Sequence, residues 1–179
     1  MEPDRFVEDL SQLAPTVSDL EEKGLSPDGA RRFVKMFFCI KREHPLTTIP
    51  GTDKLLELLR NWDLTDVHIG MVCFPEPPVI HKGKIEVGQF EADPLMMNSD
   101  TGEIRVEEFG IEPEFVLWPV ARNGSGFLDA LILAKRFAKE RGDADPTDYV
   151  THHAVAARCA AAAGGDEYLD FYKVLVGAY

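Results

Sequence analysis

Apolar residues along this chain recur at two periods, and the change between them marks out three stretches. Over 1–63 the period is helical. Phe6, Leu10 and Leu13 predict a short first helix that stops near Pro15. In "LSPDGARRFVKMFFCIKREHP", Ser26 is the expected N-cap and Pro27 the first helical residue. Phe33, Val34, Phe37, Phe38 and Ile40 give that helix a broad apolar face, and Pro45 ends it. "GTDKLLELLRNW" predicts another helix with Leu55, Leu56, Leu58, Leu59 and Trp62 inward.

Over 65–120 the period shortens to two. "DVHIGMVCF" reads as one strand, and "PVIHKGKIEVGQF" as two strands around a turn at Lys82-Gly83. "LMMNSDTGEIRVEEF" is the most patterned piece, an apolar run, a polar knot, then alternation of Ile104 and Val106 with Arg105 and Glu107. "EFVLWPV" predicts a further strand, with Pro119 at its end or on an edge because proline has no N–H to donate.

Beyond 124 the helical period returns. Ser125 is the expected N-cap of a long helix carrying Lys139 and Arg141 in its last turn and closed by Gly142. An Ala-rich helix follows, then an amphipathic one capped by Asp166, with Tyr168, Phe171, Tyr172 and Leu175 on a packing seam. Short turns between consecutive strands imply antiparallel pairing. The class expected is α+β: one domain over 1–179, helical over 1–63, a sheet of about four to six strands over 65–120, and helical over 124–179.

The knot Asn98–Glu103 invites a metal or phosphate reading. A calcium loop needs several oxygens at fixed spacing and a closing bidentate Glu, and Asn98, Asp100 and Glu103 are too few and too close. A P-loop needs more glycines and a following Lys. The Asp-Thr-Gly sequence instead suits a hairpin turn, in which Asp bonds its own backbone and Gly supplies positive φ.

Composition adds limits. The 179 residues are 45% hydrophobic and 28% charged, ordinary for a soluble domain with a substantial core. The opening "MEPDRFVEDL" has no apolar segment of signal-peptide length, and no run approaches the roughly 20 residues of a membrane span. Cys39, Cys73 and Cys159 are odd in number and far apart, which suits reduced thiols in the cytoplasm.

Charge narrows the choice of partner. Asp and Glu number 31 against 19 Lys and Arg, a net charge of −12, and between Glu86 and Glu114 nine acidic residues accompany one basic residue, Arg105. Such a surface repels nucleic acid and speeds encounter with a basic protein. It also serves solubility alone.

No catalytic constellation, cofactor motif or metal set emerges. Adjacent His152 and His153 would point about 100° apart on a helix, whereas a helical zinc pair needs a spacing of four. Cys73 with His68 or His81 offers a nucleophile pair, without a Gly-x-Cys elbow around it. "NGSG" at a helix start would suit an anion or an ordinary cap.

The order of these features resembles the SUKH superfamily, which includes many bacterial toxin-immunity proteins and a yeast cell-wall synthesis regulator. The resemblance rests on "FEADPLMMNSDTGEI", where Asp93, Thr101, Gly102 and Glu103 match the hairpin signature. It rests also on "NGSGFLDAL" after a strand, where Ser125, Phe127 and Leu128 match the start of the following helix. It covers Asp66 to about Phe137, and "IPGTDKLLELLRNWD" is a distant echo of the family's N-terminal element. The resemblance implies a non-catalytic protein-binding domain, an immunity protein that neutralises a nucleic-acid-targeting toxin through an acidic surface. The expected partner-binding residues are Asp93, Asp100, Glu103, Glu107 and Glu108. If Ile104 and Val106 are buried, Glu103 and Glu107 point outward and Glu108 sits at the edge or past a bulge. Glu103 would equally serve as a cross-strand partner for a Lys. Two other readings stand beside it, a small cytoplasmic enzyme with a carboxylate or Cys/His site and a regulatory adaptor for a non-toxin partner.

Overall fold

In the computed structural model, which describes residues 1–74, 77–81, 83–110, 115–141 and 148–178, helices precede and follow an antiparallel sheet. The order is α1 (Pro3–Gln12), α2 (Val17–Glu22), α3 (Pro27–Lys35), β1 (Ile40–Lys41), α4 (Lys54–Asn61) and β2 (Trp62–Asp63). The main sheet follows as β3 (His68–Ile69), β4 (Val72–Cys73), β5 (Val79–His81), β6 (Lys84–Phe90), β7 (Asp93–Asn98), β8 (Ile104–Glu107) and β9 (Val116–Ala121). The chain ends with α5 (Gly124–Arg141), α6 (Tyr149–Ala163), a 3-10 turn at Asp166–Tyr168 and α7 (Leu169–Val176). The class is α+β.

The main sheet runs β3-β4-β6-β7-β8-β9, with β5 added to the start of β6 on the edge that β4 uses further along. Among the described residues it has seven strands, one beyond the expected range. "DVHIGMVCF" turns at Gly70-Met71 into two short strands, because Ile69 and Val72 pair across a tight hairpin. Period-two burial shows at Lys84–Val87 of β6 and Ile104–Val106 of β8, while β7 buries Leu95, Met96 and Met97 in succession. Ile85, Met97, Ile104 and Ala121 align across four strands and are all fully buried, as are Leu95 and Val106 beside them. The opposite face at that level carries Glu86 and Arg105. Helices α5, α6 and α7 pack on β9, and one apolar cluster runs from Phe6 through Ile104 to Tyr172. Each buried Leu or Phe contributes roughly 1.5–3 kcal/mol relative to exposure.

Several helix ends differ from expectation. α2 lies in a stretch with little apolar signal, and a capping box holds it. Thr16 Oγ1 accepts from Asp19 N, and the Asp19 carboxylate accepts from Thr16 N. The Thr-x-x-Asp spacing was its one legible mark. α3 stops at Met36, well before Pro45, and Ile40 leaves the helix for β1, where it is exposed. α5 starts two residues early, since Asn123 Oδ1, not Ser125, accepts from Gly126 N at 2.9 Å. Asp166 opens a 3-10 turn without a side-chain cap. The expected closure of α5 by Gly142 lies outside the described residues, as does Lys82 of the β5–β6 turn.

One carboxylate ties two helix starts together. Asp53 Oδ1 accepts from Leu55 N at 2.8 Å at the head of α4, and its Oδ2 accepts from Gly124 N at 3.0 Å at the head of α5. Gly102, at φ +77, brings the β7–β8 turn against Asn123 and Asp53. Asp53→Ala is expected to cost about 2 kcal/mol by leaving two N–H groups without their acceptor. Urea denaturation beside Asp53→Asn, which keeps an acceptor oxygen, checks this; equal midpoints for both variants and wild type would contradict it.

Candidate partner-binding surface

The polar knot is a turn whose groups are committed to the backbone. Asn98 Oδ1 accepts from Asp100 N and Thr101 N at 2.9 and 3.0 Å, and Asn98 O accepts from Gly102 N at 2.9 Å. Thr101 Oγ1 accepts from Glu103 N, and Ser99 N and Oγ both donate to Gly83 O. Gly102 takes the left-handed conformation that the turn requires. Among the described residues no group of three His, Cys, Asp or Glu is placed to hold a metal.

The five expected acids do not form one face. β7 and β8 run antiparallel, so Asp100 and Glu103 sit at the turn while Asp93, Glu107 and Glu108 sit at the far end. Roughly 3.3 Å per residue separates the two groups along the strands. Asp100 is exposed; Glu103 is half-buried and its carboxylate accepts from Arg105, whose guanidinium is pushed up in pKa mainly by that bond.

Glu107 corrects the sequence reading outright. It was expected outward, but it is 6% exposed and bonded to Lys84 Nζ at 2.6 Å. Two changes of register between β8 and β9, one of them between Val106 and Glu107, break the simple alternation. The Lys partner foreseen for Glu103 in fact serves Glu107. Lys84 and Arg105 therefore neutralise two of the five carboxylates.

At the far end, Asp93 and Glu108 remain half-exposed. Asp93 Oδ1 accepts from Phe109 N at 3.1 Å, and Glu108 N donates to Phe115 O at 2.9 Å. Those bonds hold two aromatic rings at the surface, Phe109 at 76% and Phe115 at 57% exposure. Glu91 lies exposed in the two-residue β6–β7 loop, at φ +56, two positions from Asp93. Sequence reasoning missed Phe109 and Phe115 as surface residues. The available sign was that Phe109 follows two consecutive acids and precedes Gly110, which breaks the alternation. Glu112 and Glu114, part of the acidic stretch, lie outside the described residues.

The other candidate groups are separated or occupied. His152 is buried, with Nδ1 2.8 Å from Gly177 O and its ring edge-on to Phe137, while His153 is exposed. The start of α5 gives its N–H groups to Asp53 and Asn123. Cys73 lies directly across from His68, yet burial raises its thiol pKa, and burial pushes Cys39 and Cys159 up to about 12. A raised pKa keeps a thiol protonated and weakens it as a nucleophile. The His81 side chain lies outside the described residues. Among the described residues no helix is long and apolar enough to cross a membrane. Compared with family models, curated proteins and solved structures, the chain matches none.

Proposed function

We propose that this chain is a non-catalytic protein-binding domain that docks a basic partner on the far end of the β7–β8 hairpin. The observation that carries the reading is the placement of exposed Phe109 and Phe115 beside Asp93, Glu108 and Glu91. Aromatic anchors supply desolvated contact area, and a surrounding acidic rim speeds approach of a positive surface. The chain's net charge of −12 disfavours nucleic acid as the ligand. In keeping with the SUKH resemblance, the partner proposed is a nucleic-acid-targeting toxin whose basic groove meets these carboxylates, and the chain acts as its immunity protein in the cytoplasm. The helix–sheet–helix order and the placement of the Asp-Thr-Gly turn inside the sheet support that assignment.

The adaptor reading uses the same surface and differs in the partner's identity. The enzyme reading draws on His68 opposite Cys73, and the raised thiol pKa weighs against it.

The test is to capture the partner from the native cell and measure its association by stopped flow. Asp93→Asn with Glu108→Gln is expected to slow association several-fold at low salt and less at high salt, since screening shortens the reach of surface charge. Phe109→Ala with Phe115→Ala is expected to speed dissociation by about ten-fold or more, as loss of aromatic anchors does. Unchanged rates in both double variants would remove this surface from the binding site.

A further inference from the structure

Away from the hairpin, the α1–α2 connection, α2, α3 and α5 enclose a cleft of about 760 Å³. That is within the size range of small-molecule sites. Leu13, Leu20, Phe33 and Phe37 supply apolar wall, and Phe33 leaves 39% of its surface exposed. Lys23 and Lys139 stand exposed at the margin, and Lys135 lines the interior at 9% exposure.

Lys135 is the unusual group. Its ammonium has three N–H donors. It gives one hydrogen bond, to His68 O at 2.8 Å, and lies 3.9 Å from the centroid of the Phe37 ring. Among the described residues no carboxylate pairs with it, although the chain has 31 to offer. Asp19, the acid on the cleft wall closest in role, is committed to the capping box of α2. A buried charge without a counter-charge is costly, and an apolar side chain of similar length would fill the place without that cost. Desolvation accordingly lowers the Lys135 pKa to about 8.

We propose that this cleft binds a small amphipathic carboxylate, with its head on the Lys135 ammonium and its acyl or aryl body against Phe33 and Leu20. The cleft lining carries three lysines against two acids, a slight positive excess on a strongly negative chain. Asp19 and Glu22 on the same wall disfavour a doubly charged head such as phosphate and so select a single negative charge. The apolar wall disfavours a fully polar anion. This function is separate from partner docking, since the cleft shares no residue with the Phe109–Phe115 surface.

The experiment uses octanoate as probe, followed by calorimetry and by NMR of the full chain, with octan-1-ol and octylamine as controls. Octanoate is expected to saturate, to shift resonances of Phe33 and Phe37, and to bind about ten-fold or more tighter than octanol. Octylamine is expected to bind more weakly than either. Lys135→Met should bring octanoate down to the level of octanol; it removes a charge that has no carboxylate partner among the described residues, at the loss of the hydrogen bond to His68 O and the contact with the Phe37 ring. A second readout does not depend on that variant folding. In the wild-type chain the Lys135 ε-methylene resonance is titrated with and without octanoate. A bound carboxylate should raise that pKa. The titratable and charged groups around Lys135 are Asp19 and Glu22 from α2, Lys23 just after it, His68 from β3, and Lys139 and Arg141 from its own helix. Their resonances serve as controls for a general field effect. Equal binding of octanoate and octanol, an unmoved Lys135 titration, or shifts confined to another surface would each overturn the proposal.

Discussion

Gly124→Ala is expected to destabilise the chain by more than about 4 kcal/mol, at the severe end of single substitutions. A Cβ there would stand 1.9 Å from Asp53 Oδ1, 2.4 Å from Leu55 Cβ and 2.8 Å from Leu55 N. The last two contacts belong to the first turn of α4, which does not give way without moving the helix. Relief at Asp53 would require its carboxylate to swing out, losing the bonds to Leu55 N and Gly124 N together. The φ of Gly124 is outside the left-handed region, so space alone makes the demand. Gly110→Ala is the matched control. Gly110 has φ +76 and, among the described residues, no heavy atom within 4 Å of an added Cβ, so backbone strain of about 1 kcal/mol is expected. Thermal and urea unfolding of the two variants separate the causes. Similar losses in both would show that the α4–α5 approach is looser than the structure has it.

Glu107→Ala is expected to cost about 3 kcal/mol, the order seen when one member of a buried ion pair is removed. Glu107 is nearly fully buried, and the substitution takes its carboxylate from Lys84, itself mostly buried. The parallel change Glu103→Ala breaks a more exposed pair with Arg105 and should cost less than about 1 kcal/mol. A double-mutant cycle with Lys84→Met isolates the Lys84–Glu107 coupling, since the double variant removes both charges and should recover part of the loss. Urea denaturation supplies the numbers. If Glu107→Ala were as mild as Glu103→Ala, the buried position of Glu107 would be wrong, and its carboxylate would return to the acidic surface.

These two positions also mark where reading the chain residue by residue succeeds and where it stops. Helix starts with a local chemical signature were legible, as at Ser26-Pro27, because a cap involves only neighbours in sequence. The β7–β8 hairpin was legible for the same reason. Asn98 bonds to residues two and three positions on, and Gly102 supplies the conformation that the turn needs. Pro119 on the edge strand β9 followed from its missing N–H. The alternation of Ile104 and Val106 correctly marked the buried face.

What escaped depends on distant contacts. Glu107 is inside because the β8–β9 register shifts beside it and because Lys84, from two strands away, reaches its carboxylate. Neither fact has a local sign in "EIRVEEF". The helix α3 ends early although its apolar residues continue, since Phe38 and Ile40 find no neighbouring face and stay exposed. Asp53 looks like one more helix cap until α5 is folded against α4, and only then does it bond Gly124. The same holds for Lys135, an unremarkable helical lysine in sequence whose burial, without a carboxylate paired to it among the described residues, arises from Phe37, α5 and β3 packing together. Hydrogen bonds within a turn and the period of apolar residues are short-range, so the class, the helix–sheet–helix order and the central hairpin were already present in the chain. Burial of charge, strand register and the clustering of Asp93, Glu108, Phe109 and Phe115 are set by which surfaces exclude water together. That is a property of the packed chain and not of any segment of it.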